Sequence, residues 1–487
     1  MKKTEFLEIA VIIVVSIACV IEAGIGFFQL SGCIQSNHSL YRCTGSFPNP
    51  GPFGGFLAVC TSLTLSYYLF GIRDILKKTS LAISLLSFPL LIISQSRAAI
   101  LCLCTSVFVM SMKKIEWRIY LSKHMLRITV LFILLGGTLY LIKKPSADGR
   151  IFMNRISLRI INKHILVGVG KNRFAGCYGV EQSQYFRNKM ETDDDCLDWN
   201  NLAETERIAA DSPDKAFNDI LQIGVERGCI SMLLFIVAVC YLIILSYKSN
   251  GILCYGLVSY IVFSFFSYPM FLPETFYLLC LLVVTGSLYH CFSGHKLFLV
   301  DCAIISTSIF ILILKISDRH TKKTQEKINR EIVWAYDIED YESVVACCDS
   351  LCTYDIDNVQ LLYMYGHSLN KVGKYEMSDS VLELGTQISS SPMFWNVMGN
   401  NSLALGRYRE AEERYKHAFY MVPNRLYPLT LLAKLYHAEG DTVRFLDMAE
   451  KVETFVPKIE NVNTKRLREE IRDIKAGYTN NRKLTDE

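Results

Sequence analysis

Charge is the scarce component of this sequence. Only 20% of its 487 residues are Asp, Glu, Lys or Arg, against roughly 25% in average globular chains. Long uncharged runs recur through the first two thirds, which excludes a chain made only of soluble domains, although length alone suggests roughly three. A net charge of +4 is too small to point to nucleic acid. There is no Walker loop, H-E-x-x-H, nucleophile elbow, dinucleotide-binding glycine pattern or Cys-x-x-Cys pair. Nothing therefore points to a metal or an organic cofactor. Of the 17 cysteines, Cys19, Cys60, Cys102, Cys104, Cys240, Cys254, Cys280 and Cys302 sit in apolar runs and read as small hydrophobes. Cys33 with Cys43, and Cys177 with Cys196, form disulfides only if their loops face an oxidising compartment.

Apolar length is abundant. The AVILMFWYC set makes up 51% of the chain, and mean hydropathy is +0.25. An apolar run at 9–21 after Lys2 and Lys3 reads as a retained signal anchor, since no small-residue cleavage site follows it. Residues 51–72 form a second span. Residues 79–112 carry one charge, Arg97, and are flanked by Lys77 and Lys78 before and Lys113 and Lys114 after. Lysines at both ends place both ends in the cytoplasm, so the segment crosses twice and turns near Arg97 at the outer face. Further runs at 128–142, 229–247, 252–268, 275–289 and 297–314 bring the expected spans to about nine. The alternation puts the long polar loop 143–227 and the C-terminus outside. Arg319, Lys322, Lys323 and Lys327 after the last run argue for the other side.

The polar loop is electrically divided. Residues 143–189 contain ten Lys/Arg and two Asp/Glu, and residues 190–227 contain three and eleven. Arg155, Arg159 and Lys163 follow at i, i+4 and i+8 and line one face of any helix formed there. Two readings stand: cations for a diphosphate, or a surface helix on anionic lipid. Asp193, Asp194 and Asp195 fit no calcium loop and read as a solvated acidic surface. Arg97, the one charge in an apolar hairpin, is costly there and expects a functional partner.

The soluble tail repeats. Trp395, Gly399, Gly406, Tyr408, Ala411, Tyr415, Ala418 and Pro423 fall on the tetratricopeptide pattern. Gly366, Gly373 and Tyr375 precede three of them by 33 residues, and Pro457 follows Pro423 by 34. The expected architecture is all-α: a polytopic helical membrane bundle over 1–316 with the large loop 143–227, a linker over 317–324, a tetratricopeptide solenoid of four hairpins over 325–459, and a C-terminal helix and tail over 460–487.

Several segments, in order, resemble a known family: Q-S-N-H-S at 35–39, T-G-S-F-P-N-P-G at 44–51, S-Q-S-R-A-A at 94–99, D-G-R at 148–150, G-V-G from 168, A-F-N-D-I-L-Q at 216–222 and V-E-R-G at 225–228. Over about residues 20–295 the chain looks like the bacterial O-antigen ligase family, some of whose members carry C-terminal tetratricopeptide repeats. The resemblance implies metal-independent transfer of a glycan from a polyprenyl diphosphate carrier to a lipid or protein hydroxyl, at the outer face of the bacterial inner membrane. Loop and repeats are then periplasmic, and the repeats recruit an acceptor or a protein partner. It places the diphosphate on Arg97 and Arg150, with Arg155 and Arg159 close in sequence. Where many relatives have a His taken as the base, this chain has Phe217, which accepts no proton. Asp219 and Glu226 are the candidate bases; Asp214, His164 and His38 are weaker ones. A polymerase joining repeat units and a non-catalytic membrane-anchored scaffold are the alternatives.

Overall fold

The computed structural model describes residues 3–113, 123–190, 197, 202–248, 251–292, 301–302, 304–309, 330–350 and 358–485. Among them the ordered structure is helical, with no strand. Two compact units emerge. The first comprises Met1–Lys143, Ala216–Gly224 and Cys229–His320, and the second Lys144–Lys215, Val225–Gly228 and Thr321–Glu487.

The first unit contains α1 (Lys3–Leu30), α2 (Pro50–Phe70), α3 (Asp74–Ile93), α4 (Arg97–Ser111) and α5 (Met125–Ile142), then most of α9 (Asp219–Lys248), α10 (Leu253–Phe266) and α11 (Pro273–Phe292). Among the described residues α1, α2, α3 and α9 are long and apolar enough to cross a bilayer, and α4, α10 and α11 are shorter apolar helices. At 1.5 Å per residue, a hydrocarbon core of about 30 Å needs about 20 residues. The chain is thus built as an all-α membrane protein. The span expected at 297–314 lies mostly outside the described residues.

Helix α2 is the hub, packed on α1, α3, α4 and α10. Its N-terminal glycines let neighbours close in. A Cβ on Gly54 would strike Ser94 and Ser96, and one on Gly55 would strike the Phe263 ring. Hydroxyls tie α2 to α3, with Thr61 Oγ1 and Ser87 Oγ 2.8 Å apart and Thr64 Oγ1 and Ser84 Oγ also 2.8 Å apart. Apolar packing alone gains little between helices in lipid, so such pairs hold them in register. Thr64→Val is expected to cost about 0.6 kcal/mol in bilayer unfolding, and no change in that measurement would remove the zipper's role.

In the second unit, α6 (Lys144–Lys163), α7 (Phe174–Met190) and α8 (Glu204–Ala209) pack together through Phe152, which stacks on Phe186 at 5.5 Å. The tail supplies α12 (Tyr341–Ser350) and three helical hairpins: α13 (Val359–Lys371) with α14 (Tyr375–Thr386), α15 (Met393–Ala404) with α16 (Tyr408–Met421), and α17 (Tyr427–Glu439) with α18 (Thr442–Thr454). Helix α19 (Val462–Thr485) closes the array. The hairpin turns fall on Gly373, Gly406 and Gly440, with φ of 83°, 71° and 83°, a conformation glycine adopts without penalty. Gly366 and Gly399 admit Leu382 and Tyr415 from the facing helices.

The sequence assigns the loop 143–227 to the membrane part, but the structure groups Lys144–Lys215 with the tail. The reason is a shared interface. Helix α7 lies on α16, and Gly176 and Gly179 press against the Gln387 carbonyl and against Ser390 and Met421. Gln182 Nε2 donates to Met421 O and, at 2.9 Å, to Asp211 O. Asn424 Nδ2 donates to Arg207 O at 2.9 Å and Ala210 O at 2.7 Å, and Arg207 donates to Val456 O at 2.9 Å. Loop and repeats therefore lie on one side of any membrane the chain crosses.

Near this interface His417 on α16 packs 4.0 Å from the Trp395 ring. Burial, with a smaller effect from Arg187, pushes its pKa down to about 4. A depressed histidine favours folding above the unfolded value of about 6.5, and that contribution fades as pH falls toward the folded one. The second unit is expected to lose about 2 kcal/mol between about pH 8 and pH 5, read as a denaturant midpoint. His417→Gln should flatten the dependence; an unchanged slope would dismiss it.

Two of the four paired cysteines settle differently from the disulfide reading. Cys33 and Cys43 are both free thiols, with Cys33 Sγ accepting from Ser31 Oγ at 3.2 Å and Cys43 turned onto Gly26 O. Cys177 is free as well, and Cys196 lies outside the described residues.

Candidate functional site

In the first unit, segments far apart in sequence meet. Glu22 and Gln29, seven residues apart on one face of α1, reach the first loop. Glu22 accepts from Ser46 N at 3.0 Å and Ser46 Oγ at 2.6 Å. Gln29 Oε1 accepts from Thr44 N at 2.9 Å and Gly45 N at 2.8 Å, and its amide donates to Gly45 O. A Cβ on Gly45 would lie 2.5 Å from Glu22 Oε2, so glycine is required at this φ of 58°. The loop then enters α2 at Asn49.

Asn49 Nδ2 donates to Tyr268 Oη at 3.3 Å. The Tyr268 ring stands edge-on to Phe217, 5.0 Å between centroids. Phe217 has φ of 48°, a left-handed backbone that is an outlier for a bulky residue. Asn218 Oδ1 then accepts from Ile220 N and Leu221 N, both at 3.1 Å, and starts α9. Gln222 Oε1 accepts from Ala216 N at 2.7 Å, which closes the corner. Asp219 is buried, and its Oδ2 accepts from Met270 N at 3.1 Å.

Arg97 opens α4. Ser96 caps that helix by accepting from Ala99 N at 3.3 Å and donates to Gly51 O at 3.4 Å, which joins the S-Q-S-R segment to the start of α2. The Arg97 guanidinium donates to Lys143 O at 3.4 Å, and Lys143 Nζ to Gln95 Oε1 at 3.4 Å. A cation at a helix N-terminus opposes the helix dipole. Arg97 and Lys143 thus place two cations beside that end.

In the second unit Arg150 is half-buried near the start of α6. Arg155 and Arg159, expected on the diphosphate, are engaged within the loop. Arg155 pairs with Glu206 at 2.8 Å, and Arg159 pairs with Glu181 at 2.7 Å beside Lys163. Burial alone would raise the Glu206 pKa, but hydrogen bonds from Lys189, Tyr185 and Arg155 hold it below the usual carboxylate range. The arginines of both pairs are about half exposed, although Glu181 is buried, so Arg155→Ala and Arg159→Ala are each expected to cost about 1 kcal/mol of second-unit stability. Loss of transfer with unchanged unfolding would instead restore them as substrate contacts.

The G-V-G turn pairs with the V-E-R-G segment: Val169 N donates to Val225 O at 2.9 Å and Gly170 N to Glu226 O at 3.0 Å. Gly228, at φ 81°, breaks α9 where a Cβ would strike Leu166 O. Of the weaker bases, Asp214 and His164 are exposed. His38 packs on Tyr41 at 4.9 Å with Nδ1 accepting from Leu40 N. The acidic run at 193–195 lies outside the described residues, and no metal-holding cluster occurs among the described ones.

Sequence reasoning missed Glu22, Gln29, Lys143 and Tyr268. The available signal was an acid closing the first apolar run, with an amide seven residues on. No protein family and no curated protein matches the chain.

Proposed function

We propose that the protein transfers a glycan from a polyprenyl diphosphate carrier to an acceptor hydroxyl, as an O-antigen ligase-like glycosyltransferase of the bacterial inner membrane. The observation that carries the reading is the joining of the first-loop, S-Q-S-R and A-F-N-D-I-L-Q segments in the first unit, through Ser96 to Gly51 and Asn49 to Tyr268 and Phe217. These are the segments in which the resemblance lies.

In this reading the chain crosses about nine times, and the helical hairpins are tetratricopeptide repeats standing in the periplasm with the loop. Arg97, with Lys143 beside it, holds the diphosphate. The family pattern alone assigns Arg150 to the diphosphate. Arg155 and Arg159 contribute mainly by holding α6 to the rest of the loop. The acceptor oxygen attacks the anomeric carbon, and the bond from that carbon to the diphosphate oxygen breaks. The electron pair leaves on the diphosphate, whose growing charge the cations stabilise more than they do the bound donor.

Asp219 is the preferred base for the acceptor proton. It is buried in the same unit as Arg97 and accepts from Met270 N. The repeats favour a large acceptor such as a protein over a small one. Deleting the gene and comparing surface polysaccharide and glycoproteins tests this. Loss of glycan from its acceptor with carrier-linked glycan accumulating is the expected outcome. Shortened chains still attached would make it a polymerase, and an unchanged pattern would remove the transferase reading.

A further inference from the structure

The second unit contains a cleft of about 500 Å³ with no part in the transfer chemistry described above. It opens where the first turns of α15, α17 and α19 come together, with Asp211 of the loop on its wall. Three cations line it, Arg425, Lys458 and Arg466, against the one carboxylate. Arg425 is half-buried and donates to Ser212 Oγ at 3.0 Å, using one of five N–H donors. Lys458 Nζ reaches Asp211 at 3.2 Å. Among the described residues no carboxylate lies within salt-bridge reach of Arg425 or Arg466. Helices α15 and α17 start without a side-chain cap, so their amide ends add positive potential. Asn461 and Asn463 supply amides, and Tyr427 and Pro457 supply apolar wall.

We propose that this cleft binds an anionic saccharide, a short run of sugar rings carrying carboxylate or phosphate groups. Its size falls within the range of small-molecule sites, roughly 300–1,000 Å³. The cations take the acid groups with charge-assisted hydrogen bonds. The amides and Asp211 offer the mixed donors and acceptors that hydroxyls need, and the apolar wall takes the C–H faces of the rings. An acidic peptide would use the cations but lacks the hydroxyls and C–H ring faces that the amides and the apolar wall of Tyr427 and Pro457 accommodate, and a neutral saccharide would leave the guanidiniums idle. The biological meaning rests on the transferase reading, in which the site presents the acceptor or donor glycan, but binding itself needs no turnover.

The test is calorimetric titration of the full-length chain in detergent with trigalacturonic acid, maltotriose and an acidic hexapeptide. Trigalacturonic acid is expected to bind with a dissociation constant below about 1 mM. Maltotriose and the peptide should each bind at least about tenfold more weakly, and Arg425→Ala and Arg466→Ala should each weaken the acid sugar about tenfold. Arg466 is exposed on α19, so its variant guards against misfolding of the Arg425 one. No binding of trigalacturonic acid up to about 10 mM, equal binding of the peptide, or both variants binding like the native chain would overturn the proposal. Those results would leave Arg97-dependent transfer standing, whereas loss of the transferase reading would leave the titration unchanged.

Discussion

Replacing Arg97 by Ala is expected to lower glycan transfer about 10²–10³-fold, the usual cost of removing one positioned group that stabilises charge developing in the transition state. Ser96 still caps α4 in the variant, and the bond lost to Lys143 O is a long one at 3.4 Å. Arg97→Lys should recover part of the activity, since a point charge persists while the forked geometry is lost. The measurement is glycan transfer by purified protein from a carrier-linked donor, with unfolding followed in parallel. Activity within about twofold of native in the Ala variant would leave the transferase reading without its main residue and favour the scaffold alternative.

The second large effect is structural. In Gly176→Val, the new side chain would be built into the Gln387 carbonyl, which is backbone and cannot swing aside. Overpacking against a fixed neighbour costs about 1–3 kcal/mol, and the upper end applies where backbone is the obstacle. Limited proteolysis should then cut the α7 helix faster than in the native chain, and denaturation should report a separated loop. Native-like proteolysis would mean that the α7–α16 contact is not what unites the loop with the repeats. That union also bears on a simpler experiment. Deleting residues 325–487 would strip the covered face of α7, including Gln182, which bonds Met421 O. Loss of function on deletion therefore follows from either the transferase or the scaffold reading, and only the arginine variants discriminate.

The apolar helices and the three described hairpins were legible because their signals are local: an apolar run for a membrane helix, a glycine at each hairpin turn. What escaped reading depends on distant pairs. Arg155 and Arg159 look like an open row of charge in sequence, yet Glu206 lies 51 residues and Glu181 22 residues from its partner. Gly176 and Gly179 look like ordinary helix weaknesses until the tail is set against them. Glu22 ends an apolar run, and only the folded first loop gives its carboxylate a purpose. The segments of the candidate site could be marked in the sequence, whereas the residues that join them in the fold, Tyr268 and Lys143, carry no pattern of their own.

The bond from Gln182 to Met421 spans 239 residues, and this has a consequence during synthesis. At about 5–20 residues per second, the loop helix waits roughly 12–50 s for the partner that covers it. Throughout that interval the remaining spans must be inserted while Gly176, Tyr178 and Gln182 stay open to water.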